Sequence, residues 1–375
     1  MEPVEGLPGR WYFGVGPSQL HPVVPEGIRQ ALAEGLPSWS HRSDAFRREV
    51  GGTVEALRAV LEIPRDHRVL FLGSATEAME RLAQGLVGGG GPASRRSFHL
   101  VNGAFSRRFQ AVSANLGGGA DGLEVEGGEG FRLSDVTVPE RFDLLAVTQN
   151  ETSTGVALDP RGIADLARRH PRHLTVVDTV TAAPTAPLDL SAVDGAFFSV
   201  QKLFGLPAGL GVLVVSPRLV ERVRERQRSG VPVGGYMHIP ALAAAADRDE
   251  TGPTPNMLGI RLLGDVARAF LERGLDALRH DAQASAERIH QAASRAGWAP
   301  FPTREEDRSR TVLVFRVPGE DGGTRERTRL QARRFEVSSG YGPLKEQLVR
   351  IANFPAHSPE AVEGLARVVE EGASS

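Results

Sequence analysis

The stretch Gly195–Ser216, GAFFSVQKLFGLPAGLGVLVVS, decides the fold. Two short apolar runs, Ala196–Val200 and Gly211–Val215, flank Gln201-Lys202 and a turn rich in Gly and Pro. Apolar runs of this length, bounded by turn residues, suit strands buried on both faces of a sheet. A lysine at the exit of such a strand sits where burial disfavours its ammonium form. Desolvation or a neighbouring cation can bring it towards neutrality, and a neutral amine can attack a carbonyl carbon. The alternative is a lysine whose head reaches solvent from the strand end. Local sequence leaves both readings open. The chain holds only two lysines, Lys202 and Lys345, and otherwise carries its positive charge on arginine.

Working outward, strands and helices alternate. Val69–Leu72 reads as a strand that ends in Gly73-Ser74-Ala75-Thr76-Glu77, followed by a helix with Ala78, Leu82 and Leu86 on one face. Strand, small-residue turn and helix in that order present free N–H groups to an anion such as phosphate. Ser97–Val101 is a second strand, leading through Asn102-Gly103-Ala104-Phe105 into a helix. Phe105 is either core or a ring that lies against another planar ring. Asp143–Thr148 ends in the polar run Gln149–Gly155, and Arg161–Arg169 is helical. Leu174–Val177 ends in Asp178, which either caps the next element or holds a cationic group. Such alternation implies a mostly parallel sheet covered on both faces. Ligands of such sheets bind beyond the carboxyl ends of the strands. Gly73–Thr76, Phe105, Asn150–Thr152, Asp178 and Gln201-Lys202 all fall there.

Elsewhere, residues 1–22 show no helical period and read as a lead-in loop, followed by a helix over Pro25–Glu34. Ser43 or Asp44 caps a further helix in which Phe46, Val50, Val54, Leu57 and Leu61 fall at helical spacing. His41-Arg42, just before it, is either a solvated loop or an anion site where arginine forks onto a carboxylate or phosphate. Gly88–Gly91 reads as a surface turn, since it lacks the lysine and hydroxyl of a P-loop. After a helix that follows Ser216, Gly230–Pro255 reads as a loose segment of turns. Helices over Asn256–Leu275 and Leu275–Ala296 come next, then a strand at Thr311–Val317, a helix at Arg325–Phe335, a strand at Gln347–Ala352 and a last helix from Pro359. The expected organisation is an arm (1–14), a large α/β domain (15–260) and a smaller α+β domain (261–375).

Composition narrows the function. A formal net charge of −2 over 375 residues leaves no basic excess for nucleic acid. The absence of cysteine excludes disulfides, thiolate metal sites, iron–sulfur clusters and a cysteine nucleophile. The ten histidines show no HExxH or comparable ligand spacing, so no metal site is expected. No secretory signal is legible at the N-terminus, and no apolar run approaches the roughly 20 residues that span a membrane. A cytoplasmic protein with no membrane partner is the expectation.

A neutralisable lysine, a carboxylate, a phosphate cradle and a stacking ring match what pyridoxal phosphate requires of a protein. FGVGPS, SHRSDAF, GSATEA, NGAFSRRF, QNETSTG, VVDTVTAAP, SVQKLFGLPAGLGVLVVS, TPNMLGI and VRIANFP, in this order, carry a family resemblance over nearly the whole chain. The chain resembles the class V, fold-type I pyridoxal-phosphate aminotransferases. Within them it is most similar to phosphoserine aminotransferases, with alanine–glyoxylate and serine–pyruvate aminotransferases as near relatives.

That resemblance implies a role for each matching residue. Lys202 is the lysine that bonds to the cofactor's aldehyde, and Asp178 partners the pyridine nitrogen. Phe105 takes the stacking position, where many relatives carry tryptophan, and Thr152 meets the ring hydroxyl. Ala75, Thr76 and Gln201 hold the cofactor phosphate, joined by Thr251 or Thr254 from a neighbouring subunit. Arg350 forks onto the substrate α-carboxylate. His41 and Arg42, also from the neighbour, hold a side-chain phosphate or carboxylate, so a homodimer with shared sites is implied. There are departures: the turn at Ala75-Thr76 lacks the arginine of well-known phosphoserine aminotransferases. The segment GYGPLKEQLVR likewise lacks their His-Arg pair and offers only Lys345. The expected reaction is transamination from phosphoserine to 2-oxoglutarate. The alternatives are an alanine or serine donor with glyoxylate or pyruvate, and a scaffold without activity. A desulfurase is disfavoured by the missing cysteine.

Overall fold

The structure is a computed structural model, and it describes residues 9–88 and 95–372. The turn expected at Gly88–Gly91 therefore lies mostly outside the described residues. Fourteen strands run in chain order as β1 (Trp11–Phe13), β2 (Arg68–Leu72), β3 (Ser97–Val101), β4 (Ala120–Glu124), β5 (Leu144–Thr148), β6 (Asn150–Glu151), β7 (Val156–Ala157), β8 (Leu174–Asp178), β9 (Gly195–Ser199), β10 (Gly211–Val215), β11 (Ala299–Pro300), β12 (Val312–Arg316), β13 (Phe335–Ser339) and β14 (Leu348–Ala352). Seven form one sheet in the order β2-β10-β9-β8-β5-β3-β4.

This sheet is parallel except at β10, which runs antiparallel to both β9 and β2. The reason lies in the opening stretch. A parallel return needs a crossover of a dozen or more residues, usually a helix, and the Gly/Pro-rich link from β9 to β10, residues 200–210, is shorter and holds no helix. The strands are buried on both faces with period 2. Leu145, Val147, Val177, Ala196, Phe198, Val212 and Val214 enter one core. Leu144, Ala146, Val176, Phe197, Leu213 and Val215 enter the other. The helices Asp44–Leu61 and Met257–Arg273 cover the first face, and Ala75–Leu86, Pro217–Arg228 and Ile239–Ala246 cover the second. Of the two candidate caps, Ser43 is the one used: its hydroxyl accepts from the Phe46 N–H at 3.2 Å.

A second sheet has the order β1-β13-β14-β12-β11 and packs on the helices Leu275–Arg295 and Pro359–Glu371. Four elements, two of them in this sheet, differ from the sequence reading. Trp11–Phe13, expected in a loop, is an edge strand parallel to β13; Phe13 stacks on His357 with ring centres 4.1 Å apart. Phe335–Ser339, expected at a helix end, is a strand, because the helix before it stops at Ala332. In the larger sheet, β4 went unseen because four of its five residues are exposed and carry no apolar pattern. The helix Ile239–Ala246 was hidden by the Gly and Pro that precede it, although Pro at a first turn is itself a helix signal.

The boundary expected at 260/261 falls inside the helix Met257–Arg273, whose Ile260, Leu262, Leu263, Val266 and Phe270 belong to the larger core. We propose a two-domain division that changes core within the helix Leu275–Arg295, between Leu278 and Ala286, and returns β1 to the smaller unit. Among the described residues no helix is long and apolar enough to cross a membrane.

Candidate active site

The parallel strands and β2 point their carboxyl ends to one edge of the larger sheet, where Ala75, Thr76, Phe105, Thr152, Asp178, Gln201 and Lys202 stand. Lys202, just past β9, is half-buried and donates from Nζ to the Val15 carbonyl at 2.7 Å. Burial is the main cause that draws its pKa down to about 8, and the nearby Arg350 and Arg108 charges add to it while Asp178 opposes. At pH 7 about a tenth of such an amine is neutral, against fewer than about one in a thousand for an ordinary lysine. Gly16 makes the approach possible. It has φ +134°, and a Cβ there would overlap Lys202 Nζ, Cε and Cδ.

Asp178 ends β8 and is 3 % exposed. Its Oδ1 accepts one backbone bond, from Val180 N–H at 2.9 Å. Burial pushes its pKa up to about 7 against that bond and the Lys202 charge, with Glu151 adding to the rise. A buried carboxyl in this state gains most from a cation placed beside it. Thr152 stands in a hydroxyl network: its Oγ1 lies 3.0 Å from Thr181 Oγ1, which donates to Asn150 O at 3.0 Å and accepts from Asn150 Nδ2 at 2.7 Å.

After β2, Ser74 caps the helix Ala75–Leu86 by accepting from Glu77 N–H at 3.1 Å. The Ala75 N–H, expected to face a phosphate, is instead donated to Ser199 Oγ at 2.8 Å. Thr76 is exposed at the same helix start, with its N–H unclaimed by any described acceptor, and Gln201 is half-buried beside Lys202. The turn rests directly on β10, where a Cβ on Gly211 would come within 2.5 Å of Ser74 backbone carbon.

Phe105 lies in the first turn of the helix Ala104–Asn115. That turn is held by Glu151, a fully buried carboxylate from β6. It accepts from Phe105 N–H (3.1 Å), Ser106 N–H (2.9 Å), Ser106 Oγ (3.0 Å), Ser153 N–H (3.0 Å) and Ser153 Oγ (2.6 Å). A carboxylate at a helix N-terminus meets both the free N–H groups and the positive end of the helix dipole. Arg350, in β14, is 8 % exposed and donates from Nε to Ser339 O (2.6 Å) and from Nη1 to Thr152 O (3.0 Å). Burial lowers its pKa to about 10, which leaves it charged at neutral pH. Tyr341 lies between the two arginines of the site, 5.7 Å from the Arg350 guanidinium carbon and bonded through its hydroxyl to Arg108 Nη2 at 3.2 Å.

The remaining residues form a second cluster. Arg42 donates to Glu250 Oε2 (3.2 Å), Thr251 O (2.9 Å) and Gly252 O (2.7 Å), and His41 Nδ1 lies 3.3 Å from Thr254 Oγ1. None of these bonds reaches Lys202, Asp178, Phe105 or Arg350. The residues that the resemblance assigned to a neighbouring subunit thus keep company with one another within the chain. Lys345 is exposed.

Sequence reasoning passed over Val15, Gly16, Arg108, Glu151, Thr181, Ser199 and Tyr341. Val15 and Gly16 lie in FGVGPS, Arg108 in NGAFSRRF and Glu151 in QNETSTG, inside motifs that carry the resemblance. The arrangement joins a partly neutral amine, a buried carboxyl seeking a cation, a helix start open to an anion and a buried arginine.

Comparison with known proteins agrees with that chemistry. The family model for aminotransferase class-V matches residues 10–344. A phosphoserine aminotransferase from Rhodococcus jostii is 27% identical over 374 residues, covering 98% of this chain and 96% of the relative. Among solved structures, a phosphoserine aminotransferase from Cytophaga hutchinsonii superposes with a TM-score of 0.91 at 35% identity, covering 96% of this chain and 98% of the other. An alanine–glyoxylate aminotransferase from Nostoc sp. shares the fold, with a TM-score of 0.84 at 24% identity over 99% of this chain and 97% of the other. The chain belongs to the class-V aminotransferases.

Proposed function

We propose that the protein is a pyridoxal-phosphate aminotransferase that moves the amino group of phosphoserine to 2-oxoglutarate, giving 3-phosphohydroxypyruvate and glutamate. The observation that carries the cofactor is the presence at one sheet edge of Lys202, with its pKa near 8, and Asp178, buried with one hydrogen bond and no cation in contact among the described residues. The residues fit the group. Asp178 matches a protonated pyridine nitrogen, Thr152 Oγ1 the ring hydroxyl, Phe105 the ring face, and the helix start at Thr76 with Gln201 the phosphate. Ala75 contributes by another route, its N–H fixing Ser199 and the turn.

When bound, pyridoxal phosphate supplies the carbonyl that takes up the amino group and the ring that accepts electrons from the substrate α-carbon. The chain's own residues do the rest. Arg350, held by Ser339 O and Thr152 O, offers its remaining N–H groups to the α-carboxylate. Lys202 Nζ, once freed, takes the α-proton and returns it, a role that suits an amine whose pKa lies near working pH. Asp178 keeps a proton on the ring nitrogen. His41, Arg42, Thr251 and Thr254, grouped away from Lys202, suit a twofold dimer in which each chain completes its partner's site.

The phosphoserine reading draws on the relatives' names. A small neutral donor with glyoxylate is favoured by two features, the lack of a cation in the turn Gly73–Glu77 and the lack of a His-Arg pair in GYGPLKEQLVR. Measuring kcat/KM for phosphoserine, serine and alanine against 2-oxoglutarate and glyoxylate separates the two. Phosphoserine with 2-oxoglutarate should lead, and Lys202→Ala should abolish turnover. A preference for alanine and glyoxylate would sink the substrate assignment. Turnover retained without Lys202 would sink the cofactor chemistry.

A further inference from the structure

Two arginines at the site, Arg108 and Arg350, have no carboxylate within salt-bridge distance among the described residues. Arg107, their neighbour, is paired with Glu124. Arg108 follows Phe105 by one helical turn. Its guanidinium carbon lies 4.9 Å from the Phe105 ring centre, and its Nη2 donates to the Tyr341 hydroxyl at 3.2 Å. The Tyr341 ring centre is 5.7 Å from that of Phe105, the two rings being tilted, and 5.7 Å from the Arg350 guanidinium carbon. One tyrosine therefore spaces two unpaired cations beside the stacking ring. Tyr341 is 41 % exposed and Arg108 half-buried, so their guanidinium–hydroxyl contact is open to a small molecule.

We propose that Arg108 and Tyr341 form, within a single chain, the subsite for the distal anionic group of a substrate whose α-carboxylate is held by Arg350. The substrate class is then dianionic amino acids and 2-oxo acids, with a carboxylate or phosphate beyond the reacting carbon. The inference rests on the proposed placement of the α-carboxylate. A transaminase with one site must seat donor and acceptor in turn, and a phosphorylated donor and a dicarboxylic acceptor share a second anion. Arg42 is poorly free to meet it within the chain, since its guanidinium is spent on Glu250 and two backbone carbonyls. Arg108 spends its charge on a phenol, which turns readily from accepting its N–H to donating O–H to an incoming oxygen. Its charge already reaches the reaction centre, lowering the pKa values of both Lys202 and Asp178.

The test uses the holoenzyme and two unreactive probes, glutarate with two carboxylates and butyrate with one, titrated calorimetrically. Arg108→Gln should weaken glutarate roughly ten- to a hundredfold, the range of a charge-assisted hydrogen bond, and leave butyrate within about threefold. Tyr341→Phe should act in the same direction with a smaller effect. Arg108→Lys, which keeps charge but loses the fork, guards against a folding failure of the glutamine variant and should fall between. Equal loss for both probes, or none for glutarate, overturns the subsite. Steady-state assays with phosphoserine, glutamate and alanine separate the two layers. If alanine outruns phosphoserine yet glutarate still depends on Arg108, the phosphoserine reaction is wrong and the subsite stands. If Arg350→Gln leaves butyrate binding unchanged, the α-carboxylate placement fails and the subsite with it.

Discussion

Replacing Glu151 tests how the site is built. Three backbone donors, the N–H groups of Phe105, Ser106 and Ser153, end on this one buried carboxylate. The two serine hydroxyls can turn elsewhere; Ser106 Oγ already lies 3.1 Å from Gly103 O. The backbone groups cannot. An unsatisfied buried donor costs about 1–3 kcal/mol, and loss of an anion at a helix start adds about 0.3–1 kcal/mol. Water entering the vacated space recovers part of this, so Glu151→Ala should destabilise by about 3–5 kcal/mol, a fifth or more of a typical domain's stability of about 5–15 kcal/mol. Glu151→Gln keeps the shape but turns an amide N–H₂ towards one of the donors, and should cost about 1.5–3 kcal/mol. Guanidinium unfolding of the cofactor-free protein reads the stability, and cofactor titration reads the displacement of Phe105 and Thr152. Removing this charge should also let the Asp178 pKa fall from about 7, because Glu151 is one cause of its rise. If Glu151→Gln unfolds at the wild-type midpoint and binds cofactor unchanged, the carboxylate does not organise the site.

Two other outcomes follow from contacts that the fold makes obligatory. Gly16→Ala places a methyl against Lys202 Nζ, Cε and Cδ; the flexible lysine tip gives way, so activity should drop at least about tenfold while the unfolding free energy falls by no more than about 1–3 kcal/mol, the cost of a non-glycine residue at this φ. Full activity in the variant would show that the Val15–Gly16 backbone does not set the lysine. His21, His290 and His357 are held by burial at pKa values of about 4, and His99 at about 3. Between pH 6.5 and 4 the unfolded chain takes up protons that the native protein refuses, so stability falls as pH falls, by up to about 1.4 kcal/mol per pH unit for each histidine. A urea midpoint that stays constant from pH 7 to pH 5 would contradict this.

The large sheet was legible because burial on both faces writes itself as continuous apolar runs, and Gly195–Ser199 and Gly211–Val215 were placed within a residue of their bounds. The antiparallel course of β10 was not drawn from the same stretch, although the shortness of its Gly/Pro turn already forbade a crossover. Elements that carry no such pattern were lost. The strand Ala120–Glu124 is mostly exposed, and Trp11–Phe13 is too short to show a period. Among site residues, those standing at strand exits could be found by position alone. Arg108 could not, because an arginine one helical turn past Phe105 looks like any solvated helix residue until Tyr341 arrives from 233 positions away. Glu151 was hidden by its own motif, where one acid among hydroxyl residues reads as turn chemistry.

The smaller sheet does more than cover one end of the molecule. Its strand β1 leads directly into Val15, whose N–H donates to Ser338 Oγ at 3.0 Å and whose carbonyl receives Lys202 Nζ. The next residue along β13, Ser339, offers its carbonyl to Arg350 Nε. Two adjacent serines on one edge therefore register the lysine of the larger sheet and the arginine of the smaller one against each other. Any shift of β13 moves both, and it moves Tyr341, two residues further on, with them. Lys202, Arg350 and Tyr341, the proposed amine, α-carboxylate anchor and subsite residue, form one mechanical unit though Lys202 is far from the other two in sequence. Rate and substrate choice should accordingly respond together to changes in the Ser338–Tyr341 segment, whereas changes confined to Asp178 should alter rate alone.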